Sequence, residues 1–384
     1  MKKIACSILL ALLAAASGSA FDLPRGQIID DVVCVDDPVQ HYSLYLPSTF
    51  TPDRTWPVIL AFDAGGRGRR GVEPYQAAAE RYGYIVAGSN NSRNGPWKPS
   101  LDAAKAMAAD VTMRFPVDAR RIYAAGMSGG ARVAMMVALH PELMAEGNHV
   151  AGVFASSAGF PPGEFRDSVP FPVFATAGTD DFNYLEVRTL DRALKGPRRV
   201  VIFEGGHTWL PVETATEGIE WMELQAMASG IRPRNQPQID DLFARRVARA
   251  EALKNGLDRT RELQSIVRDF IRFTDVTELT RRAAALSAQP DTIAALNAER
   301  DDQAREEEST AAMLALLEEL DVDGGIARLK ARAAPLLDQA RAASDSPSRR
   351  IARRVLTTLR ASTAGIRNPE LQELLNQISA TVAR

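Results

Sequence analysis

The pentapeptide Gly126-Met127-Ser128-Gly129-Gly130 has the Gly-x-Ser-x-Gly spacing of an activated serine. A serine on a sharp strand-to-helix turn presents its hydroxyl clear of the sheet, and only small neighbours tolerate so tight a bend. The flanks fit that geometry: the apolar run Arg121-Ile122-Tyr123-Ala124-Ala125 precedes it and a helical run from Ala131 to Leu139 follows. A hydroxyl becomes a nucleophile when an imidazole takes its proton, and the imidazole needs a carboxylate to fix its tautomer.

Elimination selects the imidazole. His41 lies in an early strand segment, His140 ends the helix after Ser128, and His149 just precedes a strand, so none follows an acid in the required order. His207 lies in Phe203-Glu204-Gly205-Gly206-His207-Thr208-Trp209, directly after the last expected strand. Loops at the carboxyl ends of parallel strands are where such sites assemble. The acid should follow a strand between Ser128 and His207, and Val173 to Ala177 runs into Gly178-Thr179-Asp180-Asp181. Asp181 is the expected acid and Asp180 the alternative, the other of the two capping the helix from Tyr184. Glu204 precedes the histidine in the same strand and points elsewhere.

Acyl transfer also needs donors for a developing oxyanion. The backbone N–H of Gly129 is one. The other is expected from the loop Asp63-Ala64-Gly65-Gly66-Arg67-Gly68, with Gly65 first and Ala64 next. That loop lacks the Gly-Lys-Ser/Thr ending and the GxGxxG spacing of phosphate-binding turns. The polar loop Gly88 to Trp97, with Asn90, should lie near the site mouth, and Trp209 beside His207 should offer a substrate platform. Turns satisfied by their own asparagines, and a tryptophan used for packing, are the plainer alternatives.

The elements that must position these groups alternate. Strands are expected at Ser43–Leu46, Val58–Phe62, Ile85–Gly88, Arg121–Ala125, Ala151–Ser156, Val173–Ala177 and Val200–Phe203. Helices are expected at Ala77–Tyr82, Asp102–Arg114, Ala131–Leu139 and Tyr184–Leu194. This alternation predicts an α/β fold with a mainly parallel sheet, covered on both faces because its strands are continuously apolar.

After Gly230 the composition changes. Residues 231–237, Ile-Arg-Pro-Arg-Asn-Gln-Pro, read as a linker. Beyond it alanine, leucine, arginine and glutamate dominate. Leu263, Ile266, Val267, Phe270 and Ile271 mark one amphipathic face, and Met313, Leu316, Leu317 and Leu320 another. Breaks at Asn255-Gly256, Gly324-Gly325, Ser346-Pro347 and Asn368-Pro369 predict an all-α C-terminal domain of helical hairpins over residues 238–384.

Residues 1–20 carry Lys2 and Lys3, an apolar stretch Ile4–Ala16, and small residues up to Ala20, the pattern of a secretory signal. The apolar stretch is too short to span a bilayer. The expected location is therefore periplasmic or secreted, with no membrane span after cleavage and the α/β domain at residues 21–230. Cys34, the one cysteine beyond that leader, is expected to be a buried thiol rather than a reactive one. The net charge of -2 gives no electrostatic argument for nucleic acid. The spacing of histidines and cysteines offers no metal motif, and no cofactor is called for.

In the order Ser128…Asp181…His207 the chain resembles the α/β-hydrolase superfamily, and within it the exported dienelactone hydrolase and polyhydroxybutyrate depolymerase-like esterases, which include feruloyl and acetylxylan esterases. Gly206-His207-Thr208-Trp209-Leu210-Pro211 is similar to the histidine loop of that group. The resemblance covers roughly residues 40–230 and departs at Asp63-Ala64, where those enzymes often carry His-Gly. It implies an α/β-hydrolase fold and a serine esterase acting on a small-molecule or polysaccharide-linked ester. A peptidase of the prolyl-oligopeptidase type shares the triad order. An interaction protein working through its helical domain, by binding a partner or by self-association, is the reading from a different class.

Overall fold

The computed structural model describes residues 23–382, so the leader read at residues 1–20 lies outside the described residues. The apolar and β-branched runs form the eight strands of one sheet. These are β1 (Ile28–Val33), β2 (His41–Tyr45), β3 (Trp56–Asp63), β4 (Ile85–Ser89), β5 (Val117–Met127), β6 (Val150–Ser156), β7 (Val173–Gly178) and β8 (Arg198–Phe203). Their order is β1-β2-β4-β3-β5-β6-β7-β8. β1 pairs antiparallel with β2, and β2 antiparallel with β4. Every remaining pairing, from β4 through β8, is parallel.

Six helices cover the sheet: α1 (Gly68–Val72), α2 (Gln76–Tyr82), α3 (Trp97–Arg114), α4 (Gly129–Leu139), α5 (Tyr184–Ala193) and α6 (Val212–Ala228). On one face α3, α4 and α5 bury Met107, Val133, Met135 and Leu190 against the strands. On the other, α1, α2 and α6 bury Val72, Ala79, Ile219 and Met222 around the aromatic stack Tyr123, Phe154 and Phe174. Both faces are therefore dry, as continuously apolar parallel strands require. This is the α/β-hydrolase sheet expected from the sequence, followed by a helical C-terminal region.

That region comprises α7 (Gln236–Ala252), α8 (Gly256–Phe270), α9 (Thr277–Ser287), α10 (Pro290–Glu318), α11 (Gly325–Ala340), α12 (Pro347–Ser362) and α13 (Pro369–Val382). Four of its starts fall at the sequence breaks. Asn255 Oδ1 accepts from the amides of Leu257 and Asp258, Ser346 Oγ from Arg349, and Asn368 Oδ1 from Leu371, while Gly324 supplies a left-handed residue at φ 74°. The linker is shorter than the composition suggested. Gln236 and Pro237 already belong to α7, because Asn235 caps its amino end and proline is tolerated in a first helical turn.

Two apolar clusters hold the helices. Met313, Leu329, Leu337, Leu356 and Ile378 unite α10 to α13. The other runs from Leu224 and Met227 of α6 into Ile239, Leu263, Ile266 and Phe270 of α7 and α8. Ile271, counted on the apolar face of α8 by its spacing, is instead 63% exposed, at the carboxyl-terminal cap of that helix.

Candidate active site

Ser128 occupies the turn between β5 and α4 with φ 58° and ψ -122°. A non-glycine residue at positive φ is strained and persists only where its surroundings over-determine it. Here Ser128 N–H donates to Ser156 O at 2.8 Å, fixing the turn to β6. The glycines around it answer to close backbone approach. A Cβ on Gly126 would fall on the Gly130 carbonyl oxygen, and one on Gly130 on that of Phe62. The Gly-x-Ser-x-Gly spacing therefore follows from how closely α4 crosses the ends of β3 and β5.

His207 brings its Nε2 to 2.8 Å from Ser128 Oγ and its Nδ1 to 2.8 Å from Asp181 Oδ1. A carboxylate only accepts, so the ring proton belongs on Nδ1, and Nε2 accepts from the serine hydroxyl. Asp181 is fully buried just past β7. Its Oδ1 also accepts from Asn183 N–H at 2.8 Å, which holds the carboxylate in place. Phe182, next in the chain, lays its ring over the imidazole with centroids 4.0 Å apart and 30° between the planes. Sequence reasoning passed over Phe182, although its position beside the acid was the available signal.

Asp180 does something different from either role expected of it. Its Oδ2 accepts from Arg353 Nε on α12 at 2.6 Å, and it does not cap α5, whose N-cap residue is Asn183. Two glutamates are likewise engaged: Glu186 of α5 with Arg132, and Glu204, just past β8, with Arg350.

The loop after β3 differs in detail from expectation. Gly65 N–H donates to Asp63 Oδ1 at 2.8 Å, so its amide is occupied. Among the described residues the amide of Ala64 makes no such bond, nor does that of Gly129. Asp63 is register partner of Met127 across the parallel β3–β5 pair, which sets Ala64 alongside Ser128. Of the two amides expected from this loop, that of Ala64 is therefore the one left free beside that of Gly129. Asn94 joins the same corner, its N–H donating to Ala64 O at 2.8 Å and its side chain lying against Gly129.

Asn90 and Trp209 prove to be braces. Asn90 Oδ1 accepts from Gly68 N–H at 3.0 Å, and its Nδ2 donates to Asp30 O at 3.0 Å, so it anchors the loop after β3 to β1. Trp209 Nε1 donates to Asp63 Oδ2 at 2.9 Å, and its ring meets Tyr75 edge-on. Burial alone would raise the Asp63 carboxyl, but hydrogen bonds from Arg67, Trp209 and Gly65 outweigh it and hold the group below the ordinary aspartate value. In both cases the side chain ties its loop to another part of the chain, 60 residues away for Asn90 and Asp30 and 146 for Trp209 and Asp63.

Among the described residues no cluster of His, Cys, Asp and Glu is arranged to hold a metal ion, and no helix is long and apolar enough to cross a membrane. A cleft of about 530 Å³ opens elsewhere, between α6 and α7, lined by Glu213, Glu217, Trp221, Arg245 and Arg249. It lies among the salt bridges joining those helices and contains none of the site residues.

No sequence-family model and no curated protein matches the chain. Solved structures with a similar fold include an esterase of the planctomycete Thermogutta terrifontis with propionate bound. It shares 16% identity over 55% of this chain and 98% of its own, with a TM-score of 0.40. A hyperthermophilic esterase of the archaeon Pyrobaculum calidifontis shares 13% identity over 53% of this chain and 87% of its own, also at 0.40. A thermostable esterase shares 21% identity over 51% and 62%, at 0.37. At these values nothing about activity or substrate passes from those proteins to this one.

Proposed function

We propose that this chain is a serine hydrolase that cleaves carboxylic esters through an acyl-enzyme. The observation that supports the reading is the unbroken hydrogen-bonded line Ser128 Oγ, His207, Asp181, with 2.8 Å at each step. Ser128 Oγ attacks the ester carbonyl as His207 Nε2 takes its proton. The amides of Gly129 and Ala64 hold the oxyanion while Asp181 steadies the imidazolium. Collapse breaks the bond to the alcohol, which leaves with the proton from His207. Water then attacks the acyl carbonyl, giving a proton to His207, which passes it to Ser128 Oγ as the acyl–oxygen bond breaks and the carboxylic acid leaves.

The substrate class carried by the sequence resemblance, a small-molecule or polysaccharide-linked ester met in the periplasm or outside the cell, belongs to the same proposal. So does membership of the exported dienelactone hydrolase and polyhydroxybutyrate depolymerase-like esterases. Purified full-length protein is tested on p-nitrophenyl acetate, on aminoacyl-anilides and with a fluorophosphonate probe, with Ser128→Ala as control. Ester turnover with labelling at Ser128 is the expected result. Turnover confined to the anilides would make it a peptidase instead, and a folded protein that neither labels nor turns over ester is no serine hydrolase.

A further inference from the structure

The helical region reaches the loops that carry Asp181 and His207 through one helix. Along α12, Arg350, Arg353 and Arg354 follow the i, i+3, i+4 spacing that puts side chains on one face. Arg354 Nη1 donates to the carbonyl oxygen of Thr179 at 2.6 Å. Arg353 Nε donates to the carboxylate of Asp180 at 2.6 Å. Arg350 Nη2 donates to Glu204 at 2.8 Å. Thr179 and Asp180 immediately precede Asp181, and Glu204 stands three residues before His207.

Those two loops are laced to each other. Thr179 N–H donates to Phe203 O at 2.9 Å, and Asp180 N–H to Gly205 O at 2.8 Å. A displacement of residues 179–180 therefore moves both the acid and the backbone from which the imidazole hangs. The arginines are in turn held from behind. Arg354 makes a two-pronged pair with Glu306 of α10, at 2.7 and 2.5 Å, and lies over the Tyr184 ring. Arg353 also donates to Thr381 O and Val382 O at the end of α13. α10 grips α5 as well, where Arg188 donates to Glu299 at 2.5 Å and Arg192 to Gln303 at 2.6 Å.

Arg353 and Arg354 are only 8% and 7% exposed, and Glu306 3%. Burying guanidinium groups carries a desolvation cost that apolar packing avoids, so adhesion between two layers does not call for them. What a guanidinium adds is direction, because its planar fork fixes the groups it binds. We propose that α12, through Arg353 and Arg354, is a positioning element for the active site, setting the loop at residues 179–180 so that Asp181 meets His207 in register. This rests on the serine hydrolase reading and adds a task for the helical region within it.

The test compares full-length wild type with Asp180→Asn, Arg353→Ala, the two combined, and Arg353→Lys. Arg281→Ala serves as control, since Arg281 pairs only with Glu278 on the surface of α9. Each is followed by the rate of fluorophosphonate labelling at Ser128 and by kcat and KM on p-nitrophenyl acetate, below its own melting temperature. Asp180→Asn keeps the shape of the side chain, so it decides the matter should Arg353→Ala not fold. The expected result is labelling and kcat lowered about tenfold in both single variants with KM little changed, because small displacements of reacting groups are costly. The combined variant should be no worse than either single one, and Arg353→Lys should recover part of the rate. Folded Asp180→Asn with wild-type kcat and labelling would reduce these contacts to structural ties and overturn the inference alone. A wild type that neither labels nor turns over ester overturns the hydrolase reading and this inference with it.

Discussion

Trp209 and Asp63 are joined by a hydrogen bond of 2.9 Å from the indole nitrogen to Oδ2, across 146 residues of sequence. It couples the loop holding His207 to the loop holding Ala64, the two groups that the proposed reaction brings to one carbonyl. Trp209→Phe keeps most of the ring and leaves a buried carboxylate oxygen without that donor. The expected cost is about 1–3 kcal/mol of stability, read by denaturant unfolding, with a lower kcat on p-nitrophenyl acetate. An unchanged kcat would separate the two loops functionally.

Phe182 packs on the imidazole of His207. Phe182→Ala frees the ring to rotate away from Ser128, and kcat should fall about tenfold while KM moves little. Phe182→Tyr should retain most of the rate. Steady-state kinetics of the three proteins measure this directly.

Gly130 leaves no room for a side chain, since its Cβ would meet the carbonyl of Phe62. Gly130→Ala is expected to destabilise the protein by about 3 kcal/mol and to abolish labelling of Ser128. Thermal melts and probe labelling report the two effects separately.

Burial would raise the Glu217 carboxyl, but Arg199 and Arg249 outweigh it and hold it at about 2, against an ordinary glutamate value of 4.5. A carboxyl lowered in the folded state contributes stability that is fully present above its unfolded value and lost as pH falls. The melting temperature should therefore drop between pH 4.5 and about 2. Glu217→Gln should melt lower at neutral pH and show a shallower decline over that interval, as read by calorimetry at several pH values.

Cys34 is buried just past β1, where burial and the neighbouring Asp110 push its thiol up to about 12. It should resist iodoacetamide in native protein and react on unfolding, as peptide mass analysis would reveal. Ready alkylation of the native state would contradict the burial.

The legibility of the sequence varied with the kind of signal. Ser128, His207 and Asp181 were readable because chain order and strand ends constrain them. The breaks at Asn255, Gly324, Ser346 and Asn368 were readable because capping is local chemistry. β1 was left out of the expected strands since it is an edge strand with Asp30 and Asp31 exposed, so its apolar pattern is broken. α6 was missed for the opposite reason, being buried almost all round and without an amphipathic stripe. The engagements of Asn90 and Trp209 were not legible because their partners lie far along the chain, Asp30 for Asn90 and Asp63 for Trp209, whereas that of Gly65 with Asp63, two residues before it, was local and was passed over. The pairing of Asp180 with Arg353, 173 residues away, leaves no trace in local sequence.

The apolar cluster that passes from Leu224 and Met227 into α7 and α8 gives α6 two allegiances, to the sheet and to the helices beyond it. Shortening the chain at the end of α6 would strip a wall from that helix and present the sheet's own cover to water. The helical half is thus not an appendage to be grafted or discarded at will. Any minimal catalytic fragment would have to be redesigned along α6, with polar residues substituted where Leu224 and Met227 now lie.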